Sequence, residues 1–364
     1  MGTKLSGLSR DLIIHPGETL RELIEDRNMT QKELAVRTGF SEKHVSKVLN
    51  GKASITSKFA AALEIIFDVN AMFWLNLQDN YDLELMDYEA LYTVTNTEIS
   101  ILSELKKIIE YMKSCGYLKS GLDKKEDVLQ LRKILSVNSL TTIPLLNFTA
   151  AFRGSNVHKV NVYVLFAWIR LCEIIADRRE AVKALNLPKL KESIPHIKNL
   201  MFEDTTMLRL RLEHIFAECG IKLCIVKHFT GAPVQGFIEH SNSGDLILCM
   251  TIRGAWADIF WFTLFHEIAH ILNEDISNRF IDYSFAESEM ENRANEFAKN
   301  MLINPDNYAL FKKAADFSLE AIKNFAKLEQ VKPYIIIGRL QKENLITYNS
   351  YYATEKIRYK WAEE

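Results

Sequence analysis

The sequence predicts a mostly helical α+β chain in four parts, on three observations. Residues 15–80 break into short segments with helix caps and helical apolar spacing. Three β-rich stretches lie between residues 221 and 252, separated by glycine turns. Trp256 to Asn273 reads as a buried helix that carries an H-E-x-x-H motif. The parts are an all-helical domain over 1–90, a helical linker and lead-in over 91–200, a domain with a small antiparallel sheet beside a metal-binding helix over 201–305, and a helical tail over 306–364.

Composition sets the bounds. With 364 residues, 48% hydrophobic and 25% charged, the chain is globular and long enough for two or three domains. A net charge of −2 gives no global basic field, so any contact with nucleic acid must be local. Five cysteines, an odd number with no C-x-x-C pair, argue against a disulfide framework and for reduced thiols in the cytoplasm. Cys219 and Cys224 are open to metal ligation, but as small residues flanking a strand they read more simply as core. The start, Met1-Gly-Thr-Lys-Leu-Ser-Gly7, lacks the apolar stretch of a signal peptide. The runs 160–176 and 256–272 carry Arg170, Glu173, Asp258, His266, Glu267 and His270, so neither suits a bilayer.

Residues 15–80 read as five helices. Pro16 and Gly17 open the first, with Leu20, Leu23 and Ile24 as its apolar positions. Thr30-Gln-Lys-Glu33 is a capping box, and Gly39 ends the helix it starts. Ser41 caps the next, which Asn50-Gly51 stops. Two short helices joined by a glycine-containing turn outline a helix-turn-helix, whose second helix enters the DNA major groove. Val45, Val48 and Leu49 face inward; Glu42, Lys43, His44, Ser46 and Lys47 are left outside. The stretch 43–58 holds Lys43, Lys47, Lys52 and Lys58 and no acid, a local basic footprint for phosphates. Lys43 or Lys47 suits guanine, and Glu42 suits a cytosine amine. A bundle used only for protein contacts is the plainer alternative.

Residues 84–135 are charged and helical, with apolar positions at Leu91, Ile99, Leu102, Leu105, Ile108 and Ile109, the spacing from Ile99 onward being near three and four. That spacing predicts a connecting helix, serving as a dimer seam or as a strut that packs on itself. Val160–Ala184 resumes as a buried helix. Ile221–Phe229, Val234–His240 and Leu246–Ile252 follow as strands of a small antiparallel sheet whose edge suits an extended peptide.

Histidines at i and i+4, here His266 and His270, share one helical face about 5–6 Å apart at Cβ, close enough to bind one Zn²⁺. Glu267 projects beside them, placed to take a proton from water activated by the ion. A catalytic zinc site takes three protein ligands and keeps a fourth place open. The helix beginning near Glu287 supplies the third. Ala294, Phe297, Ala298 and Met301 mark its buried face, which Glu291 continues; Glu287 falls on the same stripe and stays a rival. Glu289 and Glu296 read as solvated charges. Asn295, four beyond Glu291, could brace a ligand histidine. His228, His240 and Tyr283 are candidates to stabilise a tetrahedral intermediate, though each is more simply a surface or packing residue.

His266-Glu-Ile-Ala-His270 followed by Glu291-Asn-Arg-Ala-Asn-Glu-Phe-Ala298 resembles the ImmA/IrrE family of metallo-endopeptidases. The approach Gly231-Ala-Pro-Val-Gln-Gly236, then Leu246-Ile-Leu-Cys-Met250 and Trp261-Phe-Thr-Leu-Phe265, is also similar. The resemblance implies a zincin-like protease with His266, His270 and Glu291 on the metal, Glu267 as general base, and a repressor among its targets. His15-Pro-Gly-Glu-Thr-Leu-Arg21, Thr30-Gln-Lys-Glu-Leu-Ala35, Asn50-Gly-Lys52 and Phe73-Trp-Leu-Asn-Leu-Gln78 resemble the HigA branch of Xre-type DNA-binding domains. That resemblance implies a homodimeric, autoregulatory repressor on a palindromic operator, often the antitoxin of a toxin–antitoxin pair. By position Gln31, Asn50 and Lys52 would hold phosphates, while Ser41, Glu42, Lys43 and Lys47 would face bases. The combined expectation is a regulator carrying a protease that cleaves a repressor, an antitoxin or itself. The alternative is a non-proteolytic antitoxin that neutralises a cognate toxin by binding, its metal site structural or vestigial.

Overall fold

Short polar side chains set the helix boundaries at the N-terminal end of the chain. In the computed structural model, which describes residues 10–146, 160–180, 182–241, 244–274, 280–281, 289–348 and 350–360, helices α1 to α5 span Pro16–Asp26, Gln31–Thr38, Glu42–Leu49, Ser57–Phe67 and Ala71–Ala90. Thr30 Oγ1 accepts from the Glu33 amide at 3.2 Å and Ser41 Oγ from the His44 amide at 3.2 Å, each satisfying a donor that the first helical turn leaves open. Gly39 ends α2 at φ 72°, where a side chain would be strained. Leu20, Leu34, Val45, Val48, Phe59 and Trp74 close the core between these helices.

Contacts divide the chain into two units, residues 1–102 with 118–133, and residues 103–117 with 134–364. The single connecting helix expected after residue 84 is instead a series of short ones: after α5 come α6 (Asn96–Glu104), α7 (Lys106–Ser114) and α8 (Lys124–Ile134). Ile101, Leu105, Ile108 and Ile109 are already buried within their own chain, which leaves them no face for a dimer seam. Within the first unit α8 is held by a buried ion pair. Arg132 donates to both oxygens of the fully buried Glu98, at 2.9 and 2.6 Å, and to the Thr93 carbonyl at 3.2 Å. Removing the guanidinium alone leaves a buried carboxylate without its cation, so Arg132→Ala is expected to cost about 3–5 kcal/mol. The paired change Glu98→Leu/Arg132→Leu should cost less, and urea unfolding of both variants measures the difference.

The second unit has a mixed sheet between helical layers. Its elements run α9 (Val162–Asp177), α10 (Leu187–Asn199), α11 (Thr205–Glu218), β1 (Ile221–Val226), β2 (Gly236–His240), β3 (Leu246–Thr251), α12 (Ala257–Leu272), β4 (Phe280–Ile281), α13 (Glu289–Leu302), α14 (Pro305–Ala314), α15 (Leu319–Leu328) and α16 (Pro333–Lys342). Strand order is β1-β3-β2-β4. The antiparallel expectation holds for β2 with β3, and a fourth short strand, β4, pairs antiparallel with β2, but β1 and β3 run parallel, with Cys224 opposite Cys249. Their near-continuous apolar sequences have a physical cause: both faces of the sheet are covered. Leu246, Leu248 and Met250 face the core shared with α12, while Cys249 meets Cys172 of α9 behind the sheet. Burial pushes the Cys172 and Cys249 thiols up, keeping them protonated and inert.

The segment expected as a tail contributes Tyr308, Phe325, Ile336 and Leu340 to the same core as Trp261 and Phe265. No helix among the described residues is long and apolar enough to cross a membrane.

Candidate functional site

Packing places the histidines. Phe260, Trp261, Leu264, Phe265, Ile268 and Ile271 of α12 are buried in the core, so the polar residues between them are carried inside as well. Only 4% of His266 is exposed, and none of Glu267 or His270. The start of α12 is clamped by the chain's end. Lys356 Nζ lies 2.7 Å from Asp258 Oδ2, the Ala257 amide donates to the Ile357 carbonyl at 3.0 Å, and the Tyr359 amide to the Ala255 carbonyl at 2.7 Å. Asp258, in the first turn, also complements the helix dipole.

Across from α12, α13 buries Ala294, Ala298 and Leu302 on the stripe that carries Glu291. Glu291 Oε2 stands 3.2 Å from His266 Nε2 and its Oε1 3.5 Å from His270 Nε2, with the two Nε2 atoms 3.0 Å apart. The three side chains form a buried group that could hold a metal ion. The donors suit zinc. Two ligands at about 2.0–2.1 Å on a tetrahedral ion sit roughly 3.3 Å apart, close to the three separations here. Glu287 and Tyr283 lie outside the described residues. Glu289 is exposed, and Glu296, also exposed, pairs with Lys299 at 2.7 Å.

Asn295 lies one turn beyond Glu291, lining a cavity of about 1340 Å³ that begins at His266 and Glu291, and it makes no hydrogen bond to either histidine. His240 is exposed at the far end of β2, its Nδ1 3.4 Å from the Gly244 carbonyl. His228 lines a separate cavity with Lys107, Tyr111 and Lys227. Neither joins the triad.

Gly236 has a role in the site that its sequence context does not announce. A Cβ built there would stand 1.7 Å from Glu267 Oε1, so the backbone that opens β2 lies directly against that carboxylate. The only sequence signal for such an approach is a glycine at a strand end.

In the helix-turn-helix, Ser41, Glu42, Lys43, Lys47, Asn50 and Lys52 are exposed along α3 and the turn after it. Gln31, half-buried at the start of α2, donates to the Glu42 carbonyl at 3.3 Å and ties α2 to α3. Asn50 Nδ2 donates to the Ser46 carbonyl at 2.7 Å. His44, expected outside, is half-buried instead: it stacks on Phe40 at 4.9 Å and meets Phe59 edge-on at 5.3 Å. An aromatic ring at that helix position covers more apolar surface by folding in.

The profile of the helix-turn-helix family HTH_3 matches residues 20–74. Over 68 residues the chain is 29% identical to YddM, an uncharacterized HTH-type transcriptional regulator of Escherichia coli (strain K12), covering 19% of this chain and 72% of the relative. It is 31% identical over 77 residues to virulence-associated protein I of Dichelobacter nodosus, covering 21% of this chain and 71% of that one. Among solved structures, a HigA-family addiction-module antidote protein from Coxiella burnetii is 34% identical, with 27% of this chain and 91% of that chain covered and a TM-score of 0.19. Through residues 20–74, the chain belongs to the helix-turn-helix family.

Proposed function

We propose that this chain is a DNA-binding transcriptional regulator carrying a zinc-dependent endopeptidase, which acts on a repressor, an antitoxin or the chain itself. The buried convergence of His266, His270 and Glu291, with Glu267 adjacent in the same helix, carries the enzymatic half. The helix-turn-helix, with Lys43, Lys47 and Lys52 exposed on and after α3, carries the regulatory half. His266, His270 and Glu291 would hold the ion. Zn²⁺ held there would supply Lewis-acid polarisation of a scissile carbonyl and would lower the pKa of water towards about 7. Glu267 accepts the proton of the attacking water and returns it to the leaving amine. On DNA, Lys52, Gln31 and Asn50 meet phosphates, while Ser41, Glu42, Lys43 and Lys47 face base edges.

Metal analysis tests the first half: about one zinc per purified chain, lost in His266→Ala and Glu291→Ala, followed by incubation with candidate repressors. Gel-shift titration tests the second. Lys52→Ala should weaken binding on all sequences and lower the salt slope by about 1. Lys43→Ala or Lys47→Ala should cost about 1–3 kcal/mol and relax base preference. Unchanged affinity and slope in all three would remove DNA binding through α3.

The complete burial of Glu267 beneath β2 favours a second reading, a non-proteolytic antitoxin-like repressor with a structural metal site. Under that reading Glu267→Gln matches wild type in cellular effect while His266→Ala unfolds the chain.

A further inference from the structure

The cavity that starts at His266 and Glu291 runs back along α12 between α13 and α16. Asp258, at its far end, precedes His266 by eight positions, which is about 12 Å along a helix. Extended peptide advances about 3.3 Å per residue, so that length spans three to four residues. At about 1340 Å³ the space exceeds the roughly 300–1,000 Å³ of ordinary small-molecule sites. Its size and its beginning at the triad both suit polypeptide.

The lining has a polarity. Near His266 the wall is apolar, with Phe262 one turn away along α12. Further along it carries Lys299, Arg339, Lys342 and Lys356 against two carboxylates, Asp258 and Glu343. Both carboxylates are already engaged, Asp258 by Lys356 at 2.7 Å and Glu343 by Arg339 at 3.1 Å. Lys299 is paired with Glu296, a solvated residue that does not line the cavity, and Lys342 has no ion pair among the described residues. Two positive charges, on Lys299 and Lys342, are therefore left without a carboxylate inside the cavity.

Resting on the endopeptidase reading, we infer that this cavity seats substrate on one side of the scissile bond. It selects an extended segment with an apolar side chain at the cleaved bond and an Asp or Glu three to four residues away. Arg339 and Lys356 shape the wall through their own carboxylates; Lys299 and Lys342 receive the acid.

The test uses the full-length, zinc-loaded Glu267→Gln protein, which retains the cavity without cutting. A fluorescein-labelled peptide has a central Leu–Phe pair and aspartates three and four residues to either side; its twin has lysines at those positions. By fluorescence anisotropy at low salt, the aspartate peptide should bind about tenfold tighter, as expected for two partly screened ion pairs. Lys342→Glu should erase or reverse that difference, and because Lys342 is exposed at the end of α16, Lys342→Gln checks that the fold is intact by giving an intermediate value. Equal affinities, a tighter lysine peptide, no binding of either, or a preference untouched by Lys342→Glu overturns the subsite. Hydrolysis by wild-type protein is scored apart. A wild type that prefers the aspartate peptide but cuts nothing defeats the endopeptidase reading and leaves an acidic-peptide site. Cleavage without the preference defeats the subsite alone.

Discussion

Under the proposed endopeptidase function, replacing Glu267 by Gln is expected to abolish proteolysis while leaving the His266–His270–Glu291 group intact. The carboxamide has nearly the same size, so the packing of α12 around it, with His266 and Ile268 on either side in sequence, need not change. His266, His270 and Glu291 keep their mutual geometry, because none of them is altered. Only the proton acceptor disappears. Positioned general bases contribute about 10²–10⁴-fold, and the rate on any substrate that wild type cuts should fall by that much. The check is zinc content beside cleavage rate in one preparation. A variant with full zinc and more than about a tenth of the wild-type rate would show that Glu267 is not the base.

Gly236→Ala is expected to have the next largest effect, through a residue that touches no substrate. The added methyl would lie 1.7 Å from Glu267 Oε1 and 2.3 Å from its Cδ, far inside van der Waals contact. Something must move, and the strand is the less able to do so. Gly236 is in register with Met250 on β3, and the Thr251 amide donates to the Gln235 carbonyl at 2.9 Å. The Thr251 hydroxyl donates to the Val234 carbonyl at 2.8 Å, and the Thr263 hydroxyl to Gln235 Oε1 at 3.2 Å. Glu267 therefore gives way. Overpacking of this kind costs about 1–3 kcal/mol of stability, and misplacing a reacting group by about 1 Å costs about 10²-fold in rate. Thermal unfolding and cleavage assays read the two effects separately, with zinc retained. A Gly236→Ala protein as stable and as active as wild type would show that β2 does not position the base.

Much of the fold was legible because its signals are local. Thr30, Ser41 and Gly39 mark helix ends through hydrogen bonds and backbone angles set within three or four residues, and those boundaries hold. The helix from residue 257 to 272 was legible for the same reason, as was the continuation of the buried stripe of α13 to Glu291. Periodicity places His44 outside because it cannot say that Phe40 and Phe59 meet beside it. Residues 84–135 were read as one helix because apolar spacing of three and four survives when a helix is cut and refolded upon itself. The sheet was read as wholly antiparallel because an apolar strand covered on both faces has no alternation to report its partner.

What the sequence by itself determined is the chemical inventory and the local elements that carry it: a capped pair of short helices with exposed lysines, and two histidines one turn apart beside a glutamate. The spacing of residues along a single helix decides those, since the helix repeat is fixed by backbone hydrogen bonds. Tertiary structure alone decided how far Glu291 stands from the histidines, that Gly236 lies on Glu267, and that α16 and Lys356 wall a cavity next to the His266–His270–Glu291 group. Those relations join residues tens of positions apart, and they follow from which apolar faces share a core rather than from any period in the chain.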